Sequence, residues 1–128
     1  DLSVREDQCN YVSNSSGILA RAYAYRNDRS QAFVIYDGDI PIGMAMYHDF
    51  DEWKAYDFSQ FFIDRRYQGN GFGFEAARQV LQKMKAVIVL QKMIHIKTCM
   101  FALAGGREQK NNATNPPDRG TYITGAIC

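Results

Sequence analysis

A chain of 128 residues is long enough for one ordinary domain with a two-layer core. Its 46% hydrophobic and 23% charged content, with 8 Tyr and 8 Phe, excludes a disordered or low-complexity chain. The net charge of +1, from 15 basic and 14 acidic residues, gives no global field for nucleic acid or an anionic membrane, so charge recognition must be local.

Residues 1–30 are polar with scattered apolar positions. Ile18, Leu19, Ala22 and Tyr25 fall near helical spacing after Ser15, Ser16 and Gly17, which predicts one or two short helices. Ala32–Tyr36 and Ile40–Tyr47 are β-rich runs joined by Asp37-Gly38-Asp39, a strong hairpin signal. Pro41 stands at the start of the second run, where a missing N–H is tolerable. HDFDEWKAYD, 48–57, reads as an acidic and aromatic connector, and FSQFFID, 58–64, as a third strand. From Phe74 the apolar positions Ala76, Ala77, Val80, Leu81 and Met84 recur at helical spacing, with Lys83 and Lys85 in the last turn. Beyond Lys85, strand character is clearest in Ile94–Phe101. REQKNNATNPPDRG reads as a loop, and Thr121–Cys128 as a last short strand.

Cys9, Cys99 and Cys128 are odd in number and widely spaced, which fits neither a disulfide framework nor a zinc site. A reducing, cytoplasmic compartment is expected. His48 and His95 lie far apart without ligand spacing, so no metal is expected. The longest aliphatic run, Ala86–Leu90, is too short to span a bilayer, and no membrane partner is expected. The amino terminus carries charges and no apolar leader-like stretch. It also lacks a starting methionine, as a fragment or a processed chain would.

The stretch IDRRYQGNGFGFEA, 63–76, places Gly69, Gly71 and Gly73 between a predicted strand and a predicted helix. At such a junction, backbone N–H groups and a helix N-terminus can converge on one anion. Side chains there would hold a phosphate off, whereas glycines let the backbone approach and adopt positive φ. A pyrophosphate suits the loop, and Arg65 or Arg66 can add charge-assisted bonds. A Walker A loop needs Gly-Lys-Ser/Thr before the helix, and Phe72–Glu75 supplies none. A dinucleotide fingerprint through Gly71, Gly73 and Ala76 lacks the acidic residue expected some twenty positions later.

Arg66-Tyr67-Gln68-Gly69-Asn70-Gly71 resembles the R/Q-x-x-G-x-G/A signature of the GNAT superfamily of acyl-CoA-dependent acyltransferases. FVIYDGDIPIGMAMY, SQFFIDRRYQGNGFG and the following amphipathic segment resemble that family's succession of strands, loop and helix. Within it, FFIDRRYQGNGFG and DQCNYVS are similar to bacterial spermine/spermidine-type acetyltransferases. The resemblance covers roughly residues 2–86.

It implies a single α/β domain over 1–128, with a mixed, mostly antiparallel central sheet flanked by helices. The family's leading strand is missing and the ending is atypical. It also implies acetyl-CoA as co-substrate and transfer of acetyl to an amine of a small cationic acceptor. Carried over by residue, Phe61, Phe62 and Ile63 offer main-chain bonds to the pantetheine arm. Gln68, Gly69, Asn70, Gly71, Phe72 and Gly73 hold the pyrophosphate, with Arg66 flanking. The amine needs a base. Polyamine-type relatives often carry a carboxylate where this chain has Ser59, so Asp57 is the other candidate, acting through water. The family's acid is often a tyrosine, for which Tyr122 is what the chain beyond the helix offers. Asp49, Asp51, Glu52, Trp53 and Tyr56 form a candidate site for a polycation, and a solvated acidic connector is the plainer reading.

The resemblance stops near residue 87. The family's N-x-x-A-x-x-L-Y helix has no counterpart, and Pro116-Pro117 would stop one. Either the chain closes its fold in its own way or the ending comes from a shifted reading frame. Both weaken catalysis, and a non-catalytic acyl-CoA-binding or interaction module stands as the alternative. A missing leading strand would leave an open sheet edge, which a homodimer would cover.

Overall fold

The computed structural model describes residues 1–50, 52, 55–87, 93–96 and 121–124. The predicted hairpin forms from β1 (Gln31–Asp37) and β2 (Ile40–Phe50), paired antiparallel from Gln31↔Tyr47 to Asp37↔Ile40. Gly38 opens the intervening two-residue turn at φ 58, which a side chain would resist. β3 (Ala55–Ile63) lies antiparallel to β2, and β4 (Met93–Ile96) pairs parallel to β3. β5 (Thr121–Thr124) pairs antiparallel to β1, so the sheet order is β4-β3-β2-β1-β5. The sheet is therefore mixed and mostly antiparallel, as expected.

Helix α1 (Ser15–Ala24) is capped by Asn14, whose side chain accepts from the Gly17 amide at 2.8 Å. It covers one face of the sheet, with Ile18 and Ala22 packed among Ala32, Met44, Met46 and Phe62. Helix α2 (Phe72–Val87) covers the other, with Ala76, Val80 and Met84 against Phe33, Ile35, Tyr47, Phe61 and Ile63. The fully buried Phe61 and Phe62 thus serve opposite faces, each contributing roughly 1.5–3 kcal/mol by burial.

Two bulges adjust the strands. On β2 the pairing passes from Ile35↔Gly43 to Tyr36↔Pro41, leaving Ile42 as the extra residue. On β3 it passes from Met46↔Gln60 to Tyr47↔Phe58, leaving Ser59 extra. Without that insertion, Tyr56 and Phe58 would face away from Phe61 and Ile63; with it, all four join the core under α2.

Several expectations need correction. The connector expected over 48–57 is shorter: His48, Asp49 and Phe50 extend β2, and Ala55, Tyr56 and Asp57 begin β3. Aromatic and β-branched neighbours on adjacent strands outweigh the local acidity there. Helix α2 begins at Phe72 rather than Phe74. The edge strand expected over Ile94–Phe101 is described as β4 up to Ile96, and 97–101 lie outside the described residues. The edge of β1 is covered over Val34–Asp37 by the chain's own β5.

Candidate active site and cofactor loop

The loop after β3 begins at Asp64, a fully buried residue. Its amide donates to the Ile42 carbonyl at 2.7 Å, and its carbonyl accepts from the Tyr67 amide at 2.8 Å. Its carboxylate accepts from the amides of Ser3 and Arg66, both at 2.9 Å, and from Arg66 Nε and Nη2 at 2.8 and 3.0 Å. Burial alone would raise the Asp64 pKa, but these bonds from Arg66 and Ser3 outweigh it and hold the carboxyl at about 2.

Past Tyr67 the backbone changes hand. Gly69 and Gly71 take φ 81 and 85, while Gln68 before them and Asn70 between them do not take positive φ. Alternating hands turn successive N–H groups toward one concave side. A Cβ at either glycine would meet nothing within 4 Å, so the space above the loop is open. Internal bonds of the backbone amides end with Tyr67 to Asp64 and resume with Glu75 to Gly71 at 3.3 Å. Among the described residues, the amides from Gln68 to Phe74 therefore make no short, well-aligned backbone bond beyond the turns wound through 65–69. They include the first turn of α2, where the helix dipole adds positive potential. The arrangement fits a phosphate or pyrophosphate. Gly73 differs from the other two: it is helical and buried, and by spacing shares a helix face with Ala76, Ala77 and Val80.

Side chains stiffen this loop from beneath. Gln68 Nε2 donates to the Ile63 carbonyl and to Gln8 Oε1, both at 2.8 Å. Asn70 Nδ2 donates to the carbonyls of Tyr67 and Gln68 at 3.3 Å. Both arginines are exposed, but Arg66 is drawn onto Asp64 and lies 5.7 Å from the Tyr67 ring centroid, whereas the Arg65 guanidinium has no partner among the described residues.

The neighbouring strand has two unlike halves. Ala55–Phe58 pairs with β2 on one side and β4 on the other, ending at Phe58↔Ile96. Beyond that point, Gln60–Ile63 pairs with β2 alone among the described residues. Phe61, Phe62 and Ile63 thus lie on a stretch with no second strand beside it among the described residues, next to the glycine loop. One lone pair of the Ile63 carbonyl already accepts from Gln68.

Ser59 occupies the bulge just past the described pairing with β4, and its buried Oγ has no partner among the described residues. Asp57, two residues earlier, is buried on β3 and stands in register between His48 of β2 and His95 of β4. His48 is buried and stacks on Tyr25, ring centroids 4.5 Å apart. Tyr122 is not brought to this place. Its backbone pairs with Tyr36 at the opposite edge of the sheet, about three strand spacings, or roughly 14 Å, from β3.

The candidate polycation residues separate. Asp49 is buried and ion-paired with Arg29, and Tyr56 is buried in the core beneath α2. Glu52 is exposed, and Asp51 and Trp53 lie outside the described residues. Sequence reasoning missed Asp64, read only as the end of a strand. Its signal was an acidic residue two positions before Arg66, too short a pattern to separate from surface charge.

Among the described residues, no group of three His, Cys, Asp or Glu is placed to hold a metal ion, and no helix is long and apolar enough to cross a membrane. Cys9 is exposed, and the other cysteines lie outside the described residues.

The model of the acetyltransferase (GNAT) family matches residues 3–100, running past residue 86, where the resemblance was expected to fade. A relative in Bacillus subtilis (strain 168), named as a spermine/spermidine N(1)-acetyltransferase, is 30% identical over 90 residues. That alignment covers 66% of this chain and 58% of the relative, so the chain spans rather more than half of that protein's length. No solved structure matches.

Proposed function

This chain belongs to the acetyltransferase (GNAT) family, and on that premise we propose that it transfers acetyl from acetyl-CoA to a primary amine of a small cationic acceptor such as a polyamine. The observation that carries the donor half is the glycine loop, with Gly69 and Gly71 at positive φ and room beside each, leading straight into the first-turn amides of α2. The polyamine half is supported by the similarity to the Bacillus subtilis protein.

The residues divide the work as follows. The loop amides hold the pyrophosphate, and the main chain of Phe61–Ile63 aligns the amide groups of the pantetheine arm as an added strand would. Bound acetyl-CoA supplies the thioester carbonyl that the amine attacks. The acceptor arrives as an ammonium and must lose a proton first. Asp57 takes it through water, and the Ser59 hydroxyl supplies a donor at the bulge. Asp51, Glu52 and Trp53, in the link from β2 to β3, meet the rest of the cationic acceptor. Tyr122 has no part in this reading, because its strand lies at the far edge of the sheet.

Calorimetric titration with acetyl-CoA, beside Gly71→Trp, tests the donor site. Binding by the wild type and its loss in the variant are expected; binding unchanged by a tryptophan in the cradle would overturn the reading. Thiol release with spermidine then tests turnover. The partnerless Ser59 hydroxyl, standing where polyamine-type relatives often carry a carboxylate, favours a second reading: an acyl-CoA-binding module without catalysis. Tight binding with no thiol released for any amine would select it.

A further inference from the structure

The signature arginine of the loop does not face open solvent alone. Arg66 gives Nε and Nη2 to the two carboxylate oxygens of Asp64 and its amide to the first of them. The same carboxylate accepts from the Ser3 amide, the Ser3 carbonyl accepts from the Arg65 amide at 2.8 Å, and Arg66 Nη2 reaches the Asp1 carbonyl at 3.4 Å. The Asp64 backbone is tied to the β2 bulge at Ile42 and to Tyr67. Tyr67 in turn packs against the core beneath α2. One buried side chain therefore joins the amino-terminal segment, the end of β3 and the start of the glycine loop.

We propose that Asp64 is the positioning residue of the phosphate loop: its carboxylate clamps Arg66 and Ser3 so that the amides from Gln68 to Phe74 are held convergent before the anion arrives, and Arg65 is left as the side chain that meets the anion. This inference rests on the acetyl-CoA reading above and assigns the two arginines different tasks.

The physical grounds are these. A buried carboxylate is retained only if paired and hydrogen-bonded, and Asp64 satisfies both oxygens with charge-assisted bonds. Its low pKa, held by those bonds, keeps the clamp ionised throughout the neutral range. Arg66 spends its Nε and Nη2 on Asp64, so its charge is largely neutralised beside the loop. Arg65 is exposed and its guanidinium has no partner among the described residues. Fixing the donors in advance removes an ordering cost from ligand binding.

The test titrates two probes, coenzyme A and S-acetylpantetheine, which shares the arm but lacks the nucleotide diphosphate. For Asp64→Asn, the coenzyme A Kd is expected to rise roughly 10- to 100-fold, the range of a few charge-assisted bonds. S-acetylpantetheine binding, followed by NMR shifts, should stay at the wild-type level. Arg66→Gln should match Asp64→Asn, and the double variant should be no weaker than either, because the two act as one unit. Arg65→Gln should add its own loss to each. Arg66→Gln alters an exposed side chain and carries the same comparison if Asp64→Asn fails to fold.

Unchanged coenzyme A affinity in Asp64→Asn and Arg66→Gln overturns the proposal. So does equal loss of both probes, which marks general damage, and so do fully additive effects. Wild-type protein that binds no coenzyme A overturns the acetyl-CoA reading itself, a different result from a binding wild type with indifferent variants.

Discussion

The turn between β1 and β2 and the loop between β3 and α2 are built from the same local part and do different things. Gly38 at φ 58 and Gly71 at φ 85 both have room for a Cβ, with nothing within 4 Å. At the hairpin, the residues flanking the turn return at once to a ladder, Asp37 paired with Ile40. At the loop, the chain leaves its ladder at Ile63 and runs into the first turn of α2, whose amides find no partner within the helix. Positive φ therefore marks a turn; a run of unpaid amides marks a place for an anion.

The strongest way to break this comparison is to fill each turn. Gly71→Trp should lower acetyl-CoA affinity at least about 100-fold by calorimetry, through steric filling and strain at positive φ. Gly38→Ala should leave that affinity unchanged, and an equal loss in both variants would erase the distinction. A third glycine sharpens it further. Gly43 needs no unusual φ, but a Cβ there would stand 2.3 Å from the Phe62 carbonyl oxygen. Gly43→Ala should therefore push β3 from β2 and cost about 1–3 kcal/mol in denaturant unfolding, with weaker acetyl-CoA binding as Phe61–Ile63 shifts.

Acid gives the next effect. The Asp64 pKa is depressed from 3.8 to about 2 in the fold, so its stabilisation is complete above the unfolded value and is lost as pH falls through the folded one. Allowing for the exposed Arg66 partner, it contributes on the order of 1–2 kcal/mol. Thermal melts of wild type should lose this amount between about pH 4 and 2, and Asp64→Asn should lack that part of the decline. The smallest effect belongs to the hairpin: Gly38→Ala should cost about 1 kcal/mol in stability, read as a small fall in Tm.

Much of this was legible from the chain alone, for identifiable reasons. The hairpin and α2 rest on contacts near in sequence: a DG turn between β-rich runs, and apolar positions at helical spacing from Ala76 to Met84. The glycine loop was legible because its chemistry lies in the backbone of one short segment. Asp49 was misread as a solvated carboxylate because its partner, Arg29, is 20 residues away. Asp64 was passed over because Ser3 and Ile42, which complete its surroundings, are brought to it only by folding. The bulge at Ser59 depends on the register of β3 against β2, which alternation within one strand does not reveal.

The sequence by itself determined the α/β class, the strand–glycine loop–helix unit and the resemblance that the family match bears out, since each follows from local pattern. Only the tertiary structure decided the register of β3 against β2, the bulge at Ser59, and how Ser3, Ile42 and Arg66 enclose Asp64. Those properties are sums over distant partners, and hydrogen-bond satisfaction is settled by what the folded chain places opposite each group.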